Sequence, residues 1–143
     1  MFIGEYSLTV DEKGRLSIPV KFRASLSRGA VVTRGLDSAL FLYTAKEWEI
    51  LAGKLANLPI SRANTRAFSR LMLAGAMDVE MDKQGRIILP DYLRDFAGIK
   101  KKKVTVAGLY NRLEIWDEEK WTKYKTSTER TSGDIAEALE QIV

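Results

Sequence analysis

Apolar and polar residues alternate through residues 5–10, with Tyr6, Leu8 and Val10 on one side and Ser7, Thr9 and Asp11 on the other. That is the period of a half-buried strand. Asp11-Glu12-Lys13-Gly14 reads as a turn, because an aspartate accepts backbone N–H groups just ahead of it and glycine takes a positive φ without strain. A short strand follows, with Leu16 and Ile18 inward and Arg15 and Ser17 outward. Pro19 ends it and opens two helical turns over residues 20–26. Residues 30–34 and 39–43 read as strands around the turn Gly35-Leu36-Asp37-Ser38. Thr44 and Glu47 form a capping box for a helix with Trp48, Leu51 and Leu55 on one stripe. A second helix is expected over residues 62–74, with Phe68, Leu71 and Met72 inward and Arg62, Arg66 and Arg70 in a row on one side.

The pattern then restarts. Met77, Val79 and Met81 alternate with polar residues, and Asp82-Lys83-Gln84-Gly85-Arg86-Ile87-Ile88-Leu89-Pro90 repeats the Asp, Gly, Arg and Pro of residues 11–19 in register. A short helix over residues 91–97 is closed by Gly98, strands are expected over 104–109 and 113–116, and Asp117 caps a helix carrying Trp121, the counterpart of Trp48. Arg15 and Arg86 are 71 positions apart, whereas Gly35 and Gly108, like Trp48 and Trp121, are 73 apart. The extra residues are assigned to the connection containing Lys100-Lys101-Lys102-Lys103. Each half holds too few strands to bury a core alone, so the halves are expected to close one small barrel with internal two-fold pseudosymmetry. Residues 126–133 read as a loose polar linker. Asp134 with Glu137 forms another capping-box pattern, for a last helix with the stripe Ile135, Leu139 and Ile142.

Composition narrows the chemistry. The 143 residues contain no cysteine and no histidine, which removes disulfides, thiolate metal sites, the commonest general base and the usual nucleophile triads. No enzyme, metal, cofactor or small-molecule substrate is expected. No apolar run is long enough for a membrane span, no secretory signal is visible, and a cytoplasmic protein is expected. The formal net charge of +4 hides an asymmetry: residues 1–113 carry 19 Lys+Arg against 11 Asp+Glu, and residues 114–143 carry 4 against 8. The body is the part suited to a polyanion.

The duplicated turn is where the cations concentrate. Arg15 and Arg86 have two readings: an ion pair to Asp11 or Asp82 that staples the turn, or a guanidinium offered to phosphate or to guanine O6 and N7. An exposed pair stabilises by only about 0–1 kcal/mol, weak reason to build one device twice. Lys13 and Lys83 at the turn tips suit phosphate neutralisation. Lys21, Arg23 and Arg94, after the prolines, are accessory candidates, while the row Arg62, Arg66, Arg70 and the lysines 100–103 read first as solvated surface. Trp48, Trp116 and Trp121 sit in apolar patterns and read as core or subunit contact.

Asp-x-x-Gly-Arg-apolar-x-apolar-Pro, followed by Phe22-Arg23 or Leu93-Arg94, resembles the DNA-binding half of AbrB-like regulators and antitoxins. Two tandem copies, with Met1-Phe2-Ile3-Gly4-Glu5-Tyr6, Arg34-Gly35-Leu36-Asp37, Leu42-Tyr43, Glu47-Trp48 and Leu113-Glu114-Ile115-Trp116, make residues 1–125 similar to the MraZ family of bacterial transcriptional regulators. The resemblance implies an α+β, β-rich fold: an AbrB-like swapped-hairpin barrel of two pseudosymmetric repeats with flanking helices. It implies SpoVT-AbrB-type repeats over residues 5–48 and 76–121, linker helices over 49–75 and an acidic tail over 122–143. It also implies a ring-shaped homo-oligomer associated with the nucleoid. The expected partner is double-stranded DNA, as short repeated elements upstream of the division and cell-wall gene cluster, including the protein's own operon. By motif position, Lys13, Gly14, Arg15, Lys83, Gly85 and Arg86 would contact DNA, with Asp11 and Asp82 structuring the turns. The sequence departs from the family pattern in the second turn, where the lysine stands one position earlier, and at Ala39, where many relatives have cysteine. An antitoxin-like interaction module, gripping a basic partner through the acidic tail, is the competing reading.

Overall fold

The strands that alternation predicts do form, and most of them take their partners from the other copy of the repeat. The computed structural model describes residues 1–100 and 103–142. Its first copy runs β1 (Phe2–Thr9), β2 (Arg15–Ser17), α1 (Val20–Leu26), β3 (Ala30–Arg34), β4 (Leu40–Thr44) and α2 (Ala45–Ala56). After α3 (Ala63–Ser69) come β5 (Met77–Val79), β6 (Arg86–Ile88), α4 (Asp91–Ala97), β7 (Lys103–Tyr110), β8 (Leu113–Asp117), α5 (Glu118–Arg130) and α6 (Ser132–Ala138).

Six strands form one antiparallel sheet in the order β1-β7-β8-β4-β3-β5. β1 pairs with β7 and β5 with β3, so each copy supplies an edge strand to the other's hairpin. At the centre Phe41 faces Glu114, with Leu40–Ile115 and Leu42–Leu113 on either side, which places the pseudo-two-fold axis between β4 and β8. β2 and β6 leave the sheet and pair with each other, Leu16 opposite Ile87.

Along β4, Leu40 and Leu42 point to one side of the sheet and Phe41 and Tyr43 to the other, and all four are buried. The central strands are therefore covered on both faces, which is why they read as apolar runs. On one face the β2–β6 ribbon closes over Leu40, Leu42, Val106 and Ile115 with Leu16, Ile18, Ile87 and Leu89, supported by Phe22 of α1 and Leu93 of α4. On the other, Phe41, Tyr43 and Trp116 pack with Trp48, Leu51 and Leu55 of α2, Phe68 of α3 and Trp121 of α5.

Several expectations are corrected. The closed barrel does not form: β1 and β5 are sheet edges, and among the described residues the ribbon's backbone ladder meets the sheet's at the single bridge Val10–Leu16. Three-residue strands that are paired to each other have no length left to seal both edges, and the ribbon caps the sheet as a lid. The repeat register is also different. Val32 faces Leu42 and Val106 faces Ile115, so Val106 is the counterpart of Val32, Gly108 that of Arg34, and the second hairpin loop is the shorter one. The tail is not a loose linker: α5 continues through Arg130, held where Trp121 and Tyr124 meet Trp116 at ring separations of 5.3 and 5.0 Å. Asp134 does not cap the last helix, which starts earlier, at Ser132 after Thr131. The expected second helix is α3 followed by a π-helical turn, Arg70–Ala74. Its stray carbonyls are taken up by other elements, Met72 O by Thr33 Oγ1 at 2.6 Å and Leu71 O by Arg34 Nε at 3.1 Å. Of the lysine run, Lys101 and Lys102 lie outside the described residues, and Lys103 starts β7.

Candidate nucleic-acid interface

Each turn is built by its aspartate. Asp11 Oδ1 accepts the N–H groups of Lys13 at 2.9 Å and Arg15 at 2.8 Å, and Oδ2 takes Arg15 Nε at 2.6 Å. Asp82 does the same for Gln84 and Arg86, each at 2.9 Å, with Arg86 Nε at 2.8 Å. Both carboxyls are held below the usual aspartate range, first by the backbone N–H of the arginine and then by its side chain. Gly14 and Gly85 close the turns at φ +82° and +78°. A Cβ at Gly14 would lie 2.8 Å from Leu89 O, so the position requires glycine for space as well as for φ.

The two turns are interlocked. Gly14 O accepts Leu89 N at 2.8 Å and Gly85 O accepts Ile18 N at 2.9 Å, so each turn is fastened to the other copy's strand. Arg23 sends Nε to Ile18 O at 2.8 Å and lies against Gly85. Arg94 sends Nε to Leu89 O at 3.0 Å, lies against Gly14 and pairs with Asp91. These two arginines brace the turns from beneath. Lys21 is exposed, its Nζ 5.3 Å from the Tyr6 ring centre.

With Leu16 and Ile87 buried, the ribbon's outward face is Arg15 opposite Ile88 and Ser17 opposite Arg86. Arg15 and Arg86 are 32% and 28% exposed, and in both ion pairs it is Nε that the aspartate engages. The ion-pair reading of the arginines is therefore borne out, through Nε, and among the described residues the terminal guanidinium nitrogens make no hydrogen bond of their own. Lys13 and Lys83 are exposed at the turn tips, in different places. Lys13 donates its N–H to Asp11, whereas Gln84 does so in the second turn, leaving Lys83 at the position of Glu12. The row Arg62, Arg66, Arg70 belongs to the layer on the opposite side of the sheet, away from the ribbon. A two-stranded ribbon with cations on a fixed outward face suits the major groove of a duplex, about 12 Å wide.

The family model described as "MraZ protein, putative antitoxin-like" matches residues 1–71 and again 72–141. The chain belongs to the MraZ family. The division between the two matches falls inside the π turn, where the copies meet. A Transcriptional regulator MraZ of Natranaerobius thermophilus is 46% identical over 139 residues, covering 97% of this chain and 96% of its own. One of Syntrophomonas wolfei is 45% identical over the same length and coverage, and one of Ligilactobacillus salivarius is 49% identical over 139 residues, again 97% and 96%. The MraZ-type repeat thus accounts for the two turns. Ser17 and Ile88 are the residues of this face that the sequence reading did not single out. Alternation placed Ser17 outward, and the same rule applied to Ile87 and Ile88 would have separated the buried isoleucine from the exposed one.

Proposed function

We propose that this chain is a sequence-specific DNA-binding transcriptional regulator whose contact surface is the β2–β6 ribbon with its two turns. One observation carries the reading: Arg15 and Arg86 stand on the outward face of a ribbon whose inward face is fully buried, each oriented through Nε and presenting its terminal nitrogens. Arginine held in this way is suited to phosphate or to guanine edges. Lys13 and Lys83 add phosphate neutralisation, and Gly14 and Gly85 let the backbone turn. The two repeats take the place of two protomers of the AbrB-like type, exchanging their hairpins.

The targets are short repeated promoter elements upstream of the division and cell-wall gene cluster, including the protein's own operon. A ring-shaped homo-oligomer in the cytoplasm, on the nucleoid, binds several elements at once. Weak single contacts then add through effective concentration when element spacing matches subunit spacing. No enzymatic step, cofactor or small-molecule substrate enters this reading. Among the described residues no helix is long and apolar enough to cross a membrane. Footprinting the protein on its own upstream region tests the proposal. Protection confined to regularly spaced repeats is expected, and uniform or absent protection at moderate salt contradicts it.

One observation favours a second reading, the antitoxin-like module. Ile135 of α6 and Leu139 just after it are each 41% exposed, an apolar stripe on an acidic tail. That reading predicts a basic protein partner lost on truncation after residue 125, with DNA binding unaffected.

A further inference from the structure

The ribbon's outward face is pseudosymmetric in backbone and unequal in chemistry. Arg15 and Arg86 occupy equivalent places, while the remaining two outward places hold Ser17 and Ile88. Ile88 is 58% exposed although its neighbours Ile87 and Leu89 are buried to within 1%. It therefore contributes its methyls to the binding face rather than to the core. It stands directly across the ladder from Arg15, within about 4.5–5.5 Å at Cα. Two side chains that close together on one ribbon meet neighbouring bases, which are spaced about 3.4 Å along a strand. An aliphatic group in the major groove has one favourable partner there, the thymine C5-methyl, whereas a serine hydroxyl pairs with several bases.

We propose that Ile88 is a specificity residue: it packs on a thymine methyl beside the base contacted by Arg15, while the Ser17–Arg86 row tolerates other bases. The protein then reads an asymmetric element in one orientation. This rests on the DNA-binding reading of the ribbon and adds to it a base identity and a polarity. The charges agree with the assignment, because Arg15 opposite Ile88 and Arg86 two residues before it bring the apolar group to the bases by gripping the backbone or the adjacent guanine.

The test replaces each thymine of a footprinted element in turn by deoxyuridine, which removes the methyl and nothing else. Affinities of the wild-type protein and Ile88→Ser are then compared by competition at fixed salt. For the wild type one thymine position is expected to cost about fourfold, the equivalent of about 0.8 kcal/mol for one buried carbon group. Ile88→Ser should lose about as much on the natural element and be insensitive to deoxyuridine at that position. Ser17→Ile should acquire sensitivity at the mirror-related position. Size-exclusion chromatography checks that the exposed substitutions leave folding and assembly unchanged. Tight, element-specific binding that ignores every deoxyuridine overturns the inference and leaves the DNA reading standing. An equal penalty in wild type and Ile88→Ser also overturns it. No preference for the natural element over unrelated DNA overturns both readings.

Discussion

The first turn, Asp11-Glu12-Lys13-Gly14, and the second, Asp82-Lys83-Gln84-Gly85, share a framework. Each aspartate takes two N–H groups and an arginine Nε, each glycine has a positive φ, and each tip is fastened to the opposite copy's strand. What they display differs. The first turn places its lysine third and the second places it second. On the ribbon face one copy offers Ser17 where the other offers Ile88. Fusing two repeats into one chain keeps the symmetric scaffold, because both halves must fill one core, and releases the surface from symmetry. A homodimer presenting the same ribbon must display identical halves and so reads a palindrome. Under the proposed DNA-binding reading, this chain is free of that constraint.

The largest expected effects test the shared scaffold. Leu16→Ala and Ile87→Ala remove side chains that face each other at the pseudo-two-fold axis, 0% and 1% exposed. Each should destabilise the protein by about 2–5 kcal/mol, by similar amounts in denaturant titrations. A cost in one and none in the other would break the claim of a common core. Next come the guanidinium groups. Arg15→Ala and Arg86→Ala should each weaken binding to a repeat-containing promoter fragment by about 1–3 kcal/mol, with Arg15→Ala the larger and the oligomer intact in both. The lysines sharpen the difference at lower cost: Lys13→Ala and Lys83→Ala should reduce the slope of log K against log salt by about one each, if each neutralises one phosphate. A slope changed by Lys13→Ala alone would show that the displaced Lys83 misses the backbone. The smallest effect is on the turn carboxylates. Both have lowered pKa values when folded, so their stabilising contribution is complete above the ordinary aspartate range, about 3.9. It fades as pH falls below that range toward the depressed folded values. Asp11→Asn and Asp82→Asn should therefore lower thermal stability at neutral pH, with the gap to wild type narrowing in acid.

Much of this architecture was legible in the residues. The aspartates, glycines and arginines of the two turns stand in register, and Thr44 and Asp117 cap their helices through Glu47 N and Lys120 N as their positions suggest. Alternation gave the buried side of β2, with Leu16 inward and Ser17 outward, yet it cannot name the strand's partner, since the face is set by the period and the partner by topology. That is why the pairing of β1 with β7 and of β2 with β6 emerged only in three dimensions. The offset between the hairpins was hidden by the shared glycines, Gly35 and Gly108, which suggested an alignment that the ladder refutes. Arg23 and Arg94 looked like surface cations because a carbonyl such as Ile18 O or Leu89 O leaves no trace in sequence. Residues 126–130 looked like a linker because no apolar residue lies among them, and they extend a helix that is anchored upstream, where Trp121 and Tyr124 meet Trp116.

The central claim, that the paired arginines of the ribbon grip DNA, is tested most directly by one binding titration. The double variant Arg15→Ala/Arg86→Ala and the wild type are compared on a repeat-containing fragment and a scrambled one at moderate salt, with assembly size checked alongside. The expected result is an unchanged oligomer that no longer distinguishes the two fragments. A double variant that still prefers the repeats with wild-type affinity would contradict the account.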